Sequence, residues 1–452
     1  MNVPSRSTRR AWAAFALGAA AVLTTLAALT GTGGAATART AWARIDGPQQ
    51  AGTQLGLVRA SSTGDLHVLW GQGAPATLHD TLLSPSGAPK ATTTVAQGFD
   101  GVGGLAAVGM ADGSVRLFAA GGHSVGLPSA QSGINTYALS GSTWSLDAAS
   151  LWGGAVASAS DYIGATLTKD GQPVTAWKGF VHSGLGSGGV TPAYQADMGT
   201  SWLATDQASG AVVLAGETIA GKGGTFVQQV LPSTGPAVLL PSVLKERSSG
   251  IAARIGGAGT YVAYADGKQV RLMRYGGPTR TLARGGFDTA NVFSGPEGRL
   301  WIAWGDVNDG LFVTRSNRAV SRFEPVQRLR LAGGTIALVQ GEGSRGALDL
   351  FADLLLDKGG QGFWRTHVLA RDALRATVSR TRGGNKVTFT LGDAGDPLAG
   401  AIIVVAHGGD VQRLKTDGGG HATATFTGGA HTLSAHADVA GYATASVRAH
   451  LG

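Results

Sequence analysis

The 452-residue chain contains no cysteine. That absence excludes disulfide cross-links and thiolate metal centres, so stability has to come from packing or from closure of the architecture. Charge is also sparse, with Asp, Glu, Lys and Arg making up 14% of the residues. No basic run with interleaved aromatics occurs, which leaves nucleic-acid binding without support. Long helical periodicity is missing too. Only five glutamates are present, Glu217, Glu246, Glu297, Glu324 and Glu342, and this limits the acid/base chemistry available. The ten histidines are scattered, and no His-x-x-x-His grouping suggests zinc. Neither a Gly-x-Ser-x-Gly nucleophile turn nor a Gly-Lys-Thr/Ser phosphate loop appears; Gly221-Lys222-Gly223 lacks the hydroxyl and the spacing.

What the chain has in excess is glycine, 73 residues, alongside 43% hydrophobic residues. Without a Gly-X-Y period, that combination indicates many turns between short buried strands. Ten tryptophans and regularly spaced apolar runs argue against disorder.

The first 38 residues read as a secretory signal. Arg6, Arg9 and Arg10 precede an uncharged apolar run from Ala11 to Leu29, and Ala36-Thr37-Ala38 supplies a small-x-small cleavage site. Ser7-Thr-Arg-Arg10-Ala-Trp12 is similar to a twin-arginine signal, with Sec export as the other route. An uncleaved membrane anchor is the alternative, since 19 apolar residues just span a bilayer. Removing residues 1–38 takes away three arginines and no acid, lowering the formal charge from +8 to +5.

Residues 39–53 form a linker or first strand. Beyond it, a glycine followed by a short apolar strand recurs at Gly64, Gly113, Gly154, Gly210, Gly259, Gly298 and Gly346, at intervals of 39 to 56 residues. Such a period holds four short strands, the content of one propeller blade. Two residues after the glycine stand Leu66, Val115, Tyr261, Leu300 and Leu348, all apolar. The next position varies freely, as His67, Arg116, Val262, Trp301 and Asp349. Ser84-Pro-Ser-Gly87 and Lys169-Asp-Gly171-Gln read as further turns. The expected fold is all-β: a propeller of about seven blades over 54–371, with an array of two-sheet sandwiches as the alternative. From 376 to 452 the texture changes to some seven short strands, which fits a small immunoglobulin-like β-sandwich.

Pro397-Leu-Ala-Gly400, Thr416-Asp417 with Gly420-x-Ala422, and Gly441-Tyr442 make this tail resemble bacterial immunoglobulin-like modules of the carboxypeptidase-regulatory-like kind. That resemblance implies a spacer or adhesive role. Residues 54–371, best at Gly298–Asn317, resemble secreted sialidase-like β-propellers of the BNR-repeat type. Those carry Asp-boxes, Ser-x-Asp-x-Gly-x-Thr-Trp. Here Gly141-Ser-Thr-Trp144 lacks the Ser and the Asp, with Tyr137 and Leu139 in their places. The resemblance implies an arginine triad and a Tyr/Glu pair, neither of which can be assigned from the sequence.

Other candidate residues each have an ordinary structural explanation. Glu297, in Gly-Pro-Glu-Gly, reads as a solvated turn residue, and nothing marks Glu324 as a base. Asp306-Val-Asn308-Asp309-Gly310 has the look of a calcium loop one residue short, but a hairpin turn of Asn, Asp and Gly explains the same residues without a metal and is the expected reading. His421, His431 and His436 are expected to point outward from sandwich strands. His79 and Asp80 are strand neighbours facing opposite ways, so they form no dyad. Trp70, Trp301 and Trp304 read as core; Trp144, Trp152, Trp177 and Trp202 sit near loops and are the candidates for exposure. No residue is singled out as catalytic, cofactor-binding or metal-ligating, and no cofactor is implied. The reading is an exported, secreted or cell-surface monomer, without stable membrane insertion after cleavage. It is a non-catalytic scaffold recognising glycan or an envelope protein through one propeller face. A sialidase-like glycoside hydrolase is the alternative, and an envelope platform without a small ligand is a third possibility.

Overall fold

A computed structural model describes residues 42–45, 54–73, 75–122, 132–151, 162–177, 180–184, 191–192, 198–218, 224–241, 249–306, 310–331, 333–355, 361–428 and 430–451. Among them, seven four-stranded antiparallel sheets are the blades of one propeller. The first blade runs through Gly56–Arg59, Leu66–Gln72, Ala76–Leu83 and Pro89–Phe99. Blades two to six occupy 101–151, 163–192, 198–240, 249–284 and 289–329. The seventh contains Thr335–Glu342, Leu348–Leu355 and Gln361–Val368, and takes its outermost strand, Ala43–Arg44, from the other end of the propeller segment. Ala43 pairs with Arg365 and Arg44 with Trp364. The innermost strands neighbour one another in sequence order, and the seventh returns to the first.

Burial explains why these strands need one another. Second strands such as Thr260–Ala265 are buried at every position, while outer strands such as Pro89–Phe99 are mostly exposed. A sheet with two apolar faces requires cover on both. Seven apolar clusters supply it, one in each gap between consecutive blades. Between the seventh and first blades, Leu66, Val68 and Trp70 meet Phe351 and Phe363. Between the fourth and fifth, Val213, Ala215 and Val227 meet Val262, Tyr264 and Met273.

The glycine spacing thus marks blades, with one correction. Gly64, Gly113, Gly210, Gly259, Gly298 and Gly346 all have positive φ and sit just before the second strand of a blade. Gly154 lies outside the described residues. In the third blade that place belongs to Gly171, with φ 78°, two residues before Pro173–Trp177. The glycine makes the tight turn from first to second strand, where a side chain would be strained.

The freely varying position next to the conserved apolar one faces a neighbouring blade. Where it is charged, it carries an ion pair. Asp349 is fully buried between the seventh and first blades. It accepts from Arg59 Nη2 of the first blade at 2.7 Å, and from Arg365 and His367 Nδ1 of its own blade. Arg59 also pairs with Glu342 and donates to the Gly64 carbonyl, and Arg365 reaches the Gly87 carbonyl. Burial alone would raise the Asp349 carboxyl, but His367, Arg365 and Arg59 hold it down at about 2.

Residues 373–451 form a second body of two packed sheets. One contains Ala373–Thr381, Gly384–Asp393, Asp396–Pro397 and His421–Phe426; the other contains Asp410–Lys415, Ile402–His407, Thr432–Ala437 and Ala445–His450. Val387, Phe389 and Leu391 pack on Ile403, Val405 and Leu433 between them. The expected β-sandwich is present. No helix among the described residues is long and apolar enough to cross a membrane.

Asp349→Ala should strip two buried guanidinium groups of their partner and cost about 3–5 kcal/mol, read as a fall in the urea midpoint. Because its carboxyl is held below the usual 3.8, the stability it contributes is present above that pH and is lost as pH falls toward 2. The variant's stability should therefore be flatter over that acid window.

Candidate functional site: the axial channel and the charged seam

The ring encloses an axial cavity of about 180 Å³ lined by the innermost strand of every blade. Each blade contributes one partly exposed residue to its wall: Leu57, Ala107, Ala165, Trp202, Ile251, Phe293 and Gly341. Most residues on either side of these are buried, as strand alternation requires. Gly164 has to be glycine, because a Cβ there would stand 2.6 Å from the Ser201 carbonyl oxygen of the next blade.

The polar lining consists of amides that serve the fold. Gln54 pairs both ways with the Ile163 peptide, accepting at 2.9 Å and donating at 2.8 Å. Gln340 does the same with Leu55, at 2.8 and 2.9 Å, and so ties the seventh blade to the first. Each side chain stands in for a backbone strand partner. The Trp202 ring stacks near Tyr162, and its buried indole N–H has no partner. Among the described residues lining the channel there is no carboxylate, arginine, histidine or hydroxyl. The wall offers apolar and aromatic contact, with no pair of groups to exchange a proton.

The glutamates lie elsewhere. Glu297 is an exposed turn residue, paired with Arg299 and Arg318. Glu342 is bound to Arg59, and Glu217 is buried in the fourth blade. Glu246 and residues 307–309 of the calcium-like loop fall outside the described residues, as does Trp152. His421, His431 and His436 are exposed on sandwich strands. Trp70, Trp301 and Trp304 are core, whereas Trp177, expected near the surface, is fully buried between the second and third blades. Trp144 is half-buried and donates to Asp80 Oδ2 at 3.1 Å. Asp80 also takes His67 Nδ1 at 2.8 Å across its hairpin, while His79 stacks on Trp70. The Leu69–Asp80 register that brings His67 within reach of Asp80 is what adjacency in the chain could not show.

The strongest electrostatic feature is the seam between ring and sandwich. Asp393, from the sandwich, is completely buried. Its Oδ2 receives Arg315 Nη2 at 2.7 Å and the Tyr442 hydroxyl at 2.8 Å, and lies 2.7 Å from Arg299 Nε. Arg315 also donates to Glu324 Oε1 at 3.0 Å and lies over the Trp301 and Tyr442 rings. Asp396 takes the Arg318 amide at 2.7 Å. Beside this cluster, Ala370–Arg371 pairs in parallel with Tyr442–Ala443, and Arg371 N donates to Glu324 Oε2 at 2.9 Å. Burial pushes the Glu324 carboxyl up to about 8 against the pull of Arg315, and the neighbouring Asp393 adds to the rise. Asp372, at the junction, is pushed up to about 6, mainly by burial. Burial and Asp393 thus favour the protonated form of the Glu324 carboxyl and Arg315 opposes it; among the described residues Asp393 Oδ1 has no hydrogen-bond partner.

No protein-family model matches the chain, and no curated protein is detectably similar. Solved structures with a similar course include the WD40 domain of Toxoplasma gondii coronin. That match has 10% identity and a TM-score of 0.45, and covers 74% of this chain and 87% of that one. The Penicillium chrysogenum alpha-L-arabinanase complexed with arabinobiose has 12% identity and a TM-score of 0.37, over 70% and 92%. The six-bladed fucose-recognising Aleuria aurantia lectin has 13% identity and a TM-score of 0.39, over 69% and 90%. Scores this low add no argument; the seven-bladed ring rests on its own strand order.

A folded-state carboxyl above its unfolded value binds extra protons in the native protein, so stability should fall as pH rises from 4.5 to about 8. The slope approaches ~1.4 kcal/mol per pH unit for each proton. Denaturant unfolding at pH 5, 6.5 and 8 checks this. Glu324→Gln, which keeps a neutral polar group in place, should remove much of the slope and leave the smaller part from Asp372.

Proposed function

We propose that this chain is an exported, non-catalytic binding and scaffold protein of the cell surface. In this reading one face of a rigid seven-bladed ring recognises a glycan or an envelope protein, and the sandwich acts as a spacer of the bacterial immunoglobulin-like kind. The observation that carries it is the channel wall. The described lining is apolar and aromatic, its glutamine amides are engaged with backbone and Asn291 with Thr289, and none of the described lining residues carries the ionic groups that hydrolysis of a glycosidic bond requires. Trp202 and Phe293 present aromatic surface to the cavity. That is the chemistry of a sugar-stacking or apolar side-chain pocket. Export rests on the three-part signal in residues 1–38.

Two measurements test this. Expression of the chain in a bacterium with Sec and twin-arginine routes should place a protein beginning near residue 39 outside the cytoplasm; retention of the intact leader in the cytoplasm refutes export. The folded exported protein, applied to a glycan array, should retain one glycan class in a dose-dependent way, with Trp202→Ala weakening retention at least tenfold. A blank array moves the assignment to a protein partner. Disappearance of the bound epitope over hours establishes hydrolysis and overturns the non-catalytic reading.

A further inference from the structure

A second cavity, of about 340 Å³, opens where the ring meets the sandwich, well away from the channel lining. Its ring side is Arg322, in the turn between the third and fourth strands of the sixth blade. Its sandwich side is the outer face of the sheet formed by Ala373–Thr381 and Gly384–Asp393. On that face Arg375 stands directly opposite Thr390, and Thr390 opposite His421. Thr390 Oγ1 and His421 Nδ1 are 3.0 Å apart.

The floor is kept open by small residues. Ala373, Gly392, Gly395 and Gly419 line it. Gly395 has φ 93°, and a Cβ there would stand 2.8 Å from Arg322 Nη1, so only glycine lets the guanidinium lie across the seam. Arg299 and Arg315, buried in the seam, pair with Asp393, Asp396 and Glu324. Arg322 and Arg375, in contrast, have no carboxylate partner among the described residues. Asp396 also lines the cavity, with its Oδ2 turned to the Arg318 amide and Arg299, and Asp417 Oδ1 takes the Gly419 and His421 amides. The cavity therefore carries two uncompensated guanidinium groups, one from each body, over a glycine floor with a hydroxyl and an imidazole beside it.

We infer that this seam cavity is a binding site for an oxyanion group, a carboxylate or a phosphate or sulfate ester, carried by a small ligand or by a chain end. Guanidinium groups meet such oxygens in a planar, charge-assisted geometry, and the volume lies in the range of small-ligand sites. Because Arg322 belongs to the ring and Arg375 to the sandwich, the ligand links the two bodies beside their buried ionic seam. This site is independent of the channel, and its failure leaves the proposed function untouched.

The test is calorimetric titration of the full chain at constant ionic strength with inorganic phosphate and with glucuronate, using glucose as the neutral control. Saturable one-site binding of either anion is expected, with glucose silent; which anion binds more tightly distinguishes a phosphate-type ligand from a carboxylate. Arg322→Gln/Arg375→Gln should lower the affinity at least tenfold, with an unchanged thermal midpoint. Arg375→Gln alone, on an exposed sheet face, should lower it several-fold and keeps the test valid if the double variant is unstable. Absence of saturation with both anions, equal binding of glucose, or unchanged affinity in the variants overturns the assignment.

Discussion

A four-stranded sheet with two apolar faces cannot stand alone in water, and the organisation of residues 43–368 follows from that constraint. Each blade is covered by the next, so seven blades are stable only when the seventh also covers the first. Closure is made three times over at one junction. Ala43–Arg44 completes the last sheet, Gln340 pairs with the Leu55 peptide, and Asp349 holds Arg59 and Arg365 in the gap. With cysteine absent, this junction carries the work that a cross-link does in many exported proteins.

Closure also decides what the centre of the ring can be. Inner strands packed side by side leave a narrow bore, and alternation along each strand delivers one side chain per blade to it. Because these are Leu, Ala, Trp, Ile, Phe and Gly, the bore has contact surface and little ionic character. The buried ion pairs described lie instead within and between blades and where the ring meets the sandwich. Pairing and burial there set register and orientation more than they add stability.

The seam is where ring and sandwich become one body. Asp393 draws on two arginines of the sixth blade and on Tyr442, and burial raises the Glu324 carboxyl beside it. Just outside it, Arg322 and Arg375 remain without acids.

The sequence by itself determined the class and the repeat. Turn glycines with an apolar residue two places on, as at Gly64–Leu66 and Gly298–Leu300, are dictated by local backbone geometry and by burial, which a linear pattern records. Gly154 lies outside the described residues, and only strand pairing shows that Gly171 makes the turn before the second strand of the third blade. The tertiary structure alone decided which charged residues meet. His67 finds Asp80 across a hairpin, Asp349 finds Arg59 some 290 positions away in the chain, and Glu324 becomes a buried acid through Asp393. The channel wall was equally hidden, since Trp202 and Trp177 both sit near loops and one faces the bore while the other fills a blade gap. Local patterns encode turns and apolar faces; which side chains converge depends on ring closure and docking, whose contacts join residues far apart in sequence.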